Sequence, residues 1–252
     1  MEIMLKQERH HAILDKLKAN KKVLSTKLSE ELLVSEDTIR RDLKELESKN
    51  LVYKVHGGAL LKESRILSYD ERRGADIDKK KKIAKKAVKL IHDGQAIIMS
   101  GSSTNLELAK IIPENINATV YTYSLPIATQ LSYHPLIEVI FMGGKLNKAA
   151  QVTVGIDLVT SIYNISTDIC FMGVDGINVK RGLTEQDWDV SRIKRSMIHA
   201  SNHVVVMCID SKLMSAKRHT VVPIKEIDAI ISNIDPTDTV FEDFNAIGLT
   251  VI

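Results

Sequence analysis

Seven short apolar runs, separated by stretches with helical spacing, constrain the fold of this chain more than any other feature. They are Gln95–Met99, Ala118–Thr122, Leu136–Met142, Asp168–Val174, His203–Ile209, Asp228–Ser232 and Leu249–Ile252. Between them, Thr104–Ile112, Leu125–Tyr133, Val154–Tyr163 and Asp189–Ala200 carry helical spacing. Strands that are apolar throughout, rather than alternating, belong to a parallel sheet covered by helices on both faces. Residues 79–252 are therefore expected to form an α/β domain with a mainly parallel sheet.

The first sixty residues have a different texture. Leu5–Ala19 reads as a helix, Thr26–Leu33 as a second helix capped by Ser25, and Ser35 as the cap of a third. In the third, Ile39, Leu43 and Leu46 form one apolar stripe, and Thr38, Arg40, Arg41 and Lys44 lie mostly off it. Short and cationic side chains at a helix start suit a phosphate backbone and base edges in a major groove. Asn50 ends this helix, Leu51–Val55 is strand-like, and Gly57-Gly58 predicts a tight turn. A helix-turn-helix followed at once by a hairpin is the order of a winged helix. Spacing alone also admits a small helical bundle with no DNA role.

Charge favours the DNA reading. Residues 1–62 hold 13 Lys and Arg against 10 Asp and Glu, whereas residues 63–252 hold 22 of each. The excess thus coincides with the motif. Residues 1–61 are assigned to DNA binding, with Thr26 and Ser35 as lesser phosphate contacts and His56, Gly57 and Gly58 as the wing tip. The polar, aperiodic residues 62–78 read as a linker, in which Tyr69, Arg72 and Arg73 suggest packing. Lys79–Lys82 reads as the solvated start of a helix reaching His92.

No apolar run approaches a membrane span, and the N-terminus lacks a signal-peptide pattern. Cys170 and Cys208 sit in apolar runs and read as buried free thiols, with no zinc spacing. A cytoplasmic protein without cofactor or metal is expected.

Polar clusters follow the apolar runs, where open α/β sheets gather ligands. Ser100-Gly101-Ser102-Ser103-Thr104 offers hydroxyls and helix-start N–H groups for an anion, or is an ordinary capped loop. Gly143-Gly144-Lys145 and Val174-Asp175-Gly176 follow two further runs. Asp175 could accept from sugar hydroxyls, and Lys212, in Asp210-Ser211-Lys212, could meet a phosphate. Lys194 and Arg195 could face this edge or the helix surface. No nucleophile elbow, catalytic triad or GxGxxG pattern is present.

Val34–Leu60, VSEDTIRRDLKELESKNLVYKVHGGAL, resembles the DNA-binding signature of the DeoR family of bacterial transcriptional repressors. SGSST, YSLPIA, FMGGKL, GVDGI, GLT with a downstream KR, and IDSK resemble that family's C-terminal motifs in order, so the likeness spans nearly the whole chain. It implies a winged helix joined to a sensor domain similar to ribose-5-phosphate isomerase, which binds phosphorylated sugars or related metabolites. Mapped here, it makes Ser100–Thr104 the phosphate loop and Asp175, Lys194 and Lys212 the sugar-facing and charged candidates. Three positions depart from the pattern. Met99 stands where the family has an acidic residue, Tyr123 where asparagine is usual, and Glu185 where small or hydroxylated residues are usual. Met99 is expected to remove a carboxylate from the pocket, and Tyr123 to add bulk. The reading is a homo-oligomeric repressor on double-stranded operator DNA, modulated by a phosphorylated effector. Its rivals are a sugar-phosphate isomerase with an appended helical domain and a constitutive DNA-binding protein with a degenerate sensor.

Overall fold

The computed structural model describes residues 5–48, 51–61 and 69–252. Asn50, read as a helix end, and residues 62–68 of the linker lie outside these. The chain divides into two compact units at residue 66.

The first unit runs α1 (Lys6–Asn20), β1 (Lys22–Leu24), α2 (Ser25–Glu31), α3 (Glu36–Ser48), β2 (Val52–Val55) and β3 (Gly58–Leu61). The strands form an antiparallel sheet in the order β1-β3-β2. Ile13, Leu17, Leu28, Ile39, Leu43, Leu46 and Val52 fill the core beneath it. Helix α2 starts one residue before the expected boundary, with Leu24 at the cap, and Ser25 is buried inside its first turn rather than capping it. It also stops two residues early, because Leu33 takes a left-handed backbone with φ of 53°. That residue turns the chain toward α3.

The second unit begins with α4 (Tyr69–Gly74) and α5 (Ile77–Ala87). The later part of the stretch read as linker is therefore helical, and Tyr69 is buried. Asp70, Glu71 and Arg73 of α4 face outward around that one anchor, which leaves no apolar period in the sequence. The chain continues through β4 (Ala96–Met99), α6 (Ser103–Ala109), β5 (Ala118–Thr122), α7 (Leu125–Leu131) and β6 (Ile137–Phe141). A short hairpin of β7 (Lys145–Asn147) and β8 (Val152–Val154) follows, then α8 (Ile156–Tyr163) and β9 (Thr167–Gly173). After β10 (Gly176–Asn178) and β11 (Gly182–Glu185) come α9 (Trp188–His199), β12 (Ser201–Cys208), β13 (His219–Val222), β14 (Ala229–Ser232), α10 (Glu242–Ala246) and β15 (Thr250–Val251).

The main sheet has seven strands in the order β15-β14-β12-β9-β4-β5-β6, and every pairing is parallel. Alternation along the strands feeds two cores. Ile98, Cys170, Met172, Val204 and Val206 pack on one face. Ile97, Met99, Phe171, Val205 and Met207 pack on the other. Both cysteines are free and buried, and burial pushes both thiols up to about 12. Among the described residues no helix is long and apolar enough to cross a membrane.

The strand order places the functional edge. From β4 the chain steps outward to β5 and β6, then returns to the opposite side of β4 as β9 and steps the other way. The crossover reverses between β4 and β9, and a crevice opens at the carboxyl ends of such a pair.

Candidate functional sites

On the winged helix, α3 presents two faces. Ile39, Asp42, Leu43 and Leu46 are buried, while Arg40, Arg41 and Lys44 are exposed. Arg40 lies 3.3 Å from Glu36 and Arg41 lies 3.3 Å from Asp37, both one turn back along the helix. Exposed i,i+4 pairs of this kind contribute about 0.3–0.5 kcal/mol, so a stronger anion can open them. Ser35 caps the helix, its Oγ accepting from the Thr38 backbone N–H at 3.2 Å and lying 2.9 Å from Thr38 Oγ1. Thr26 is exposed near the start of α2.

The wing is tied to α3 at one point and to the start of α2 at another. The Lys54 N–H donates to Glu47 Oε1 at 3.1 Å, and the Ser25 N–H donates to the Gly57 carbonyl at 2.8 Å. His56 and Gly57 are exposed at the tip, where Gly57 has φ of 78°. Gly58 has a packing role, since a Cβ there would sit 2.0 Å from the Val23 carbonyl oxygen. It is buried under β1, which leaves His56 and Gly57 as the exposed tip.

Beneath the cationic face lies a buried polar cluster that the sequence did not reveal. Arg9 of α1 grips Asp42 of α3 through both Nε and Nη2, and His10 Nε2 lies 3.1 Å from the same carboxylate. All three residues are buried. The Asp42 carboxylate raises the Arg9 guanidinium against the effect of burial. This clamp sets the angle between the first helix and α3.

At the strand edge of the second unit, Ser100–Thr104 forms the loop from β4 into α6. Ser100 is fully buried, and its Oγ accepts from the Gly173 N–H at 2.8 Å and from Asn105 Nδ2 at 3.1 Å. Its hydroxyl braces β4 against β9. Ser102 caps α6, accepting from the Asn105 N–H at 3.0 Å. Gly101 is required by space, since a Cβ would lie 2.2 Å from Val152 Cγ1. Ser103 and Thr104 occupy the first turn and are mostly buried.

Asp175 and Lys212 come together at the ends of β9 and β12. Lys212 Nζ donates to the Val174 carbonyl at 2.8 Å and lies 3.4 Å from Asp175 Oδ1. Burial alone would raise Asp175, but Lys212 and Lys194 together hold it well below the usual carboxylate range. Lys194 is committed elsewhere. Its ammonium donates to the Gly173 carbonyl at 2.7 Å and pairs with Glu185, both side chains being buried. Arg195 donates to the Val221 and Thr220 carbonyls and so fastens α9 to β13. Glu185, seen in the sequence only as an unusual residue after Gly-Leu-Thr, therefore fills the anion position beside Lys194.

Burial pushes Glu185 up to about 7, Lys194 opposes this, and the negative Asp175 adds to the rise. A carboxyl raised on folding stabilises fully below its unfolded value and loses that contribution as pH rises through its folded value. Stability should therefore fall on the order of 2–3 kcal/mol between about pH 4.5 and 7. In Glu185→Gln this fall should be absent, and thermal unfolding of both proteins across pH 5–7.5 measures it. Parallel curves for the two proteins would show that Glu185 does not titrate there.

The two unusual residues near the loop behave differently. Met99 is fully buried with Ile97 and Phe171, so it packs under the sheet and is not part of the polar edge. The strand alternation that puts Ile97 on that face puts Met99 there too. Tyr123 is buried beside Gly101, with its hydroxyl lacking a well-formed hydrogen bond. Burial pushes the phenol well above the ordinary tyrosine range, opposed by the Gly101 backbone N–H. Ser124 Oγ and Asn105 Oδ1 are also buried without partners. Among the described residues no cluster of His, Cys, Asp or Glu could hold a metal ion.

A winged helix with a cationic face on α3, followed by a parallel α/β domain with a polar switch-point edge, defines a DNA-binding transcriptional regulator with a sensor domain. Residues 9–65 match the DeoR-like helix-turn-helix domain and residues 75–233 the DeoR C terminal sensor domain. The chain belongs to the DeoR family. It is 33% identical over 246 residues to the HTH-type transcriptional regulator GolR of Listeria innocua, covering 97% of each chain. It is 33% identical over 252 residues to the HTH-type transcriptional repressor GlcR of Bacillus subtilis, covering 98% of this chain and 97% of that one. The glycerol-3-phosphate regulon repressor of Escherichia coli is 28% identical over 95% of each chain. Ribose 5-phosphate isomerase A from Methanocaldococcus jannaschii is similar over 55% of each chain, with 19% identity and a TM-score of 0.41, a likeness too slight to carry weight.

Proposed function

We propose that this regulator represses genes of carbohydrate metabolism and that a phosphorylated sugar, or a related phosphorylated metabolite, sets its hold on operator DNA. The observation that carries the reading is the joint presence of a cationic recognition face and a polar cluster at the β4–β9 switch point. Thr38, Arg40, Arg41 and Lys44 contact DNA, Thr26 and Ser35 add phosphate contacts, and His56–Gly58 forms the wing. A homo-oligomer supplies two such faces, matching two operator half-sites. In the second unit, the N–H groups of Ser103 and Thr104 at the start of α6 hold the phosphate, those of Ser100 and Ser102 being bonded to the Phe171 and Ser100 carbonyls, and Asp175 takes sugar hydroxyls. Lys212 supports Asp175, and Lys194 acts through its pairing with Glu185. The relatives are named as regulators, which supports a binding role for the strand edge rather than turnover.

A ligand at a hundred times its dissociation constant stabilises by about 2.7 kcal/mol. For a domain of this size that corresponds to a Tm rise of roughly 5–10 °C. A panel of pentose and hexose phosphates should include a compound that produces such a rise, and Lys212→Ala should blunt it. No shift with any phosphorylated compound would favour constitutive DNA binding. Turnover of a pentose phosphate, abolished by Asp175→Asn, would favour an isomerase.

A further inference from the structure

The cations of the strand edge are unequally occupied. Lys194 is paired with Glu185, and Lys212 with Asp175. Arg72 of α4 is different. Its Nε is buried and has no hydrogen-bond partner, and among the described residues no carboxylate pairs with it. Its guanidinium carbon sits 5.8 Å from the centre of the Tyr69 ring. A buried guanidinium nitrogen left without an acceptor is costly, and an anion would relieve that cost.

Helix α4 is fastened to the same edge from two directions. The Tyr69 N–H donates to the Ala149 carbonyl at 2.9 Å, in the β7–β8 hairpin. That hairpin also supplies Val152, which abuts Gly101 of the loop and pairs with Ser124 after β5. On the other side, Lys80 Nζ donates to the Arg72 and Ala75 carbonyls, holding the C-terminal end of α4. Its neighbour Lys79 donates to Asp210, which follows β12, at 2.8 and 3.0 Å. The charge of Arg72 is felt at both Tyr123 and Asp175. The buried hydroxyl of Tyr123, beside the loop, also lacks a well-formed hydrogen bond.

We propose that Arg72 is the cation that meets the phosphate of the effector at the Ser100–Thr104 loop, so that effector occupancy is registered on α4, the first helix after the winged-helix unit in sequence. This rests on the effector reading above and adds a route for regulation. The two lysines that the sequence pattern favours already have carboxylate partners, and Arg72 has none among the described residues. A ligand that engages Arg72 acts on α4, which follows residues 62–68 in sequence. Binding then biases α4, as a switch requires.

The experiment uses the full chain, with inorganic phosphate and a panel of hexose and pentose phosphates as probes and the unphosphorylated sugars as controls. Binding is followed by calorimetry, and hydrogen exchange is followed at residues 69–76. The wild type should bind a phosphorylated probe and gain protection in 69–76. Arg72→Gln should lose roughly tenfold or more in affinity together with that protection, and Arg72→Lys should recover part of both. A purely structural role for Arg72 would lower the Tm of the free protein and leave the ligand-induced rise intact. If Arg72→Gln unfolds, Arg72→Lys carries the test through its intermediate affinity. Equal affinity in the folded variants and the wild type, or no protection of 69–76 in the wild type, overturns the role of Arg72 and leaves the effector reading standing. No binding of any probe by the wild type overturns both.

Discussion

Replacing Arg40 and Arg41 together with Ala should lower operator affinity by roughly two to three orders of magnitude, taking about 1–3 kcal/mol for each base-reading arginine. Both side chains are exposed on the face of α3 opposite Ile39, Leu43 and Leu46, so the fold should be unaffected. Salt dependence separates the two roles that an arginine can take. If both neutralise phosphates, the slope of log K against log salt should shrink by about 1.8. If they read bases, the slope holds and discrimination between operator and random DNA collapses. The partners Glu36 and Asp37 sharpen this expectation. They keep the arginines extended along the helix in the free protein, at little cost to a phosphate or guanine that displaces them. Unchanged operator affinity for the double variant across a salt titration would remove this face from the interface.

The strands that were legible in the sequence share one property: an unbroken run of buried apolar residues. Strands β4, β9 and β12 lie in the middle of a parallel sheet, so, although Asp168, Asn202 and His203 at the starts of β9 and β12 are exposed, their central residues are apolar on both faces and the runs stand out. The small antiparallel elements did not. Strands β7, β8, β10 and β11 are three or four residues long, too short for a period, and they carry residues such as Lys145, Asn147 and Asn178. Val154, the last residue of β8, and Ile156–Tyr163 read together as one helix, because the apolar end of so short a strand cannot be told from a helix start by spacing. The glycine between them, with φ of 131°, is what separates strand from helix.

The candidate sites divide in the same way. A cationic helix face is a local property, and Arg40, Arg41 and Lys44 are where spacing places them. The hydroxyl-rich loop is also local, but the use of each hydroxyl is not. Ser100 braces Gly173, 73 positions further along, and nothing near Ser100 signals that. Likewise Lys194 reads as a free cation until Glu185 is brought to it from β11. Arg72 carried one weak signal, its spacing of three from Tyr69 in a stretch without period. Pairings across the chain decide which charges remain available, and one sequence does not display them.

Asp42→Ala should unfold or nearly unfold the winged-helix unit and abolish DNA binding without touching the DNA-facing side of α3. The Asp42 carboxylate is buried, and it takes two contacts from Arg9 and one from His10. Removing one partner of a buried ion pair costs about 3–5 kcal/mol, because the remaining charge keeps its desolvation penalty. A unit of some sixty residues has only roughly 3–9 kcal/mol in total. Asp42→Asn keeps the volume and one acceptor oxygen, so its loss should be smaller. The effect should be confined to the winged-helix unit. Amide exchange should accelerate throughout the winged-helix unit, while the slow amides of β4, β9 and β12 keep their protection. The Arg40 and Arg41 double variant should show the opposite pattern, with normal exchange and weakened operator binding. If Asp42→Ala unfolds within about 1 kcal/mol of the wild type, the α1–α3 clamp contributes little, and the angle of α3 is set by Ile13, Ile39 and Leu43 alone.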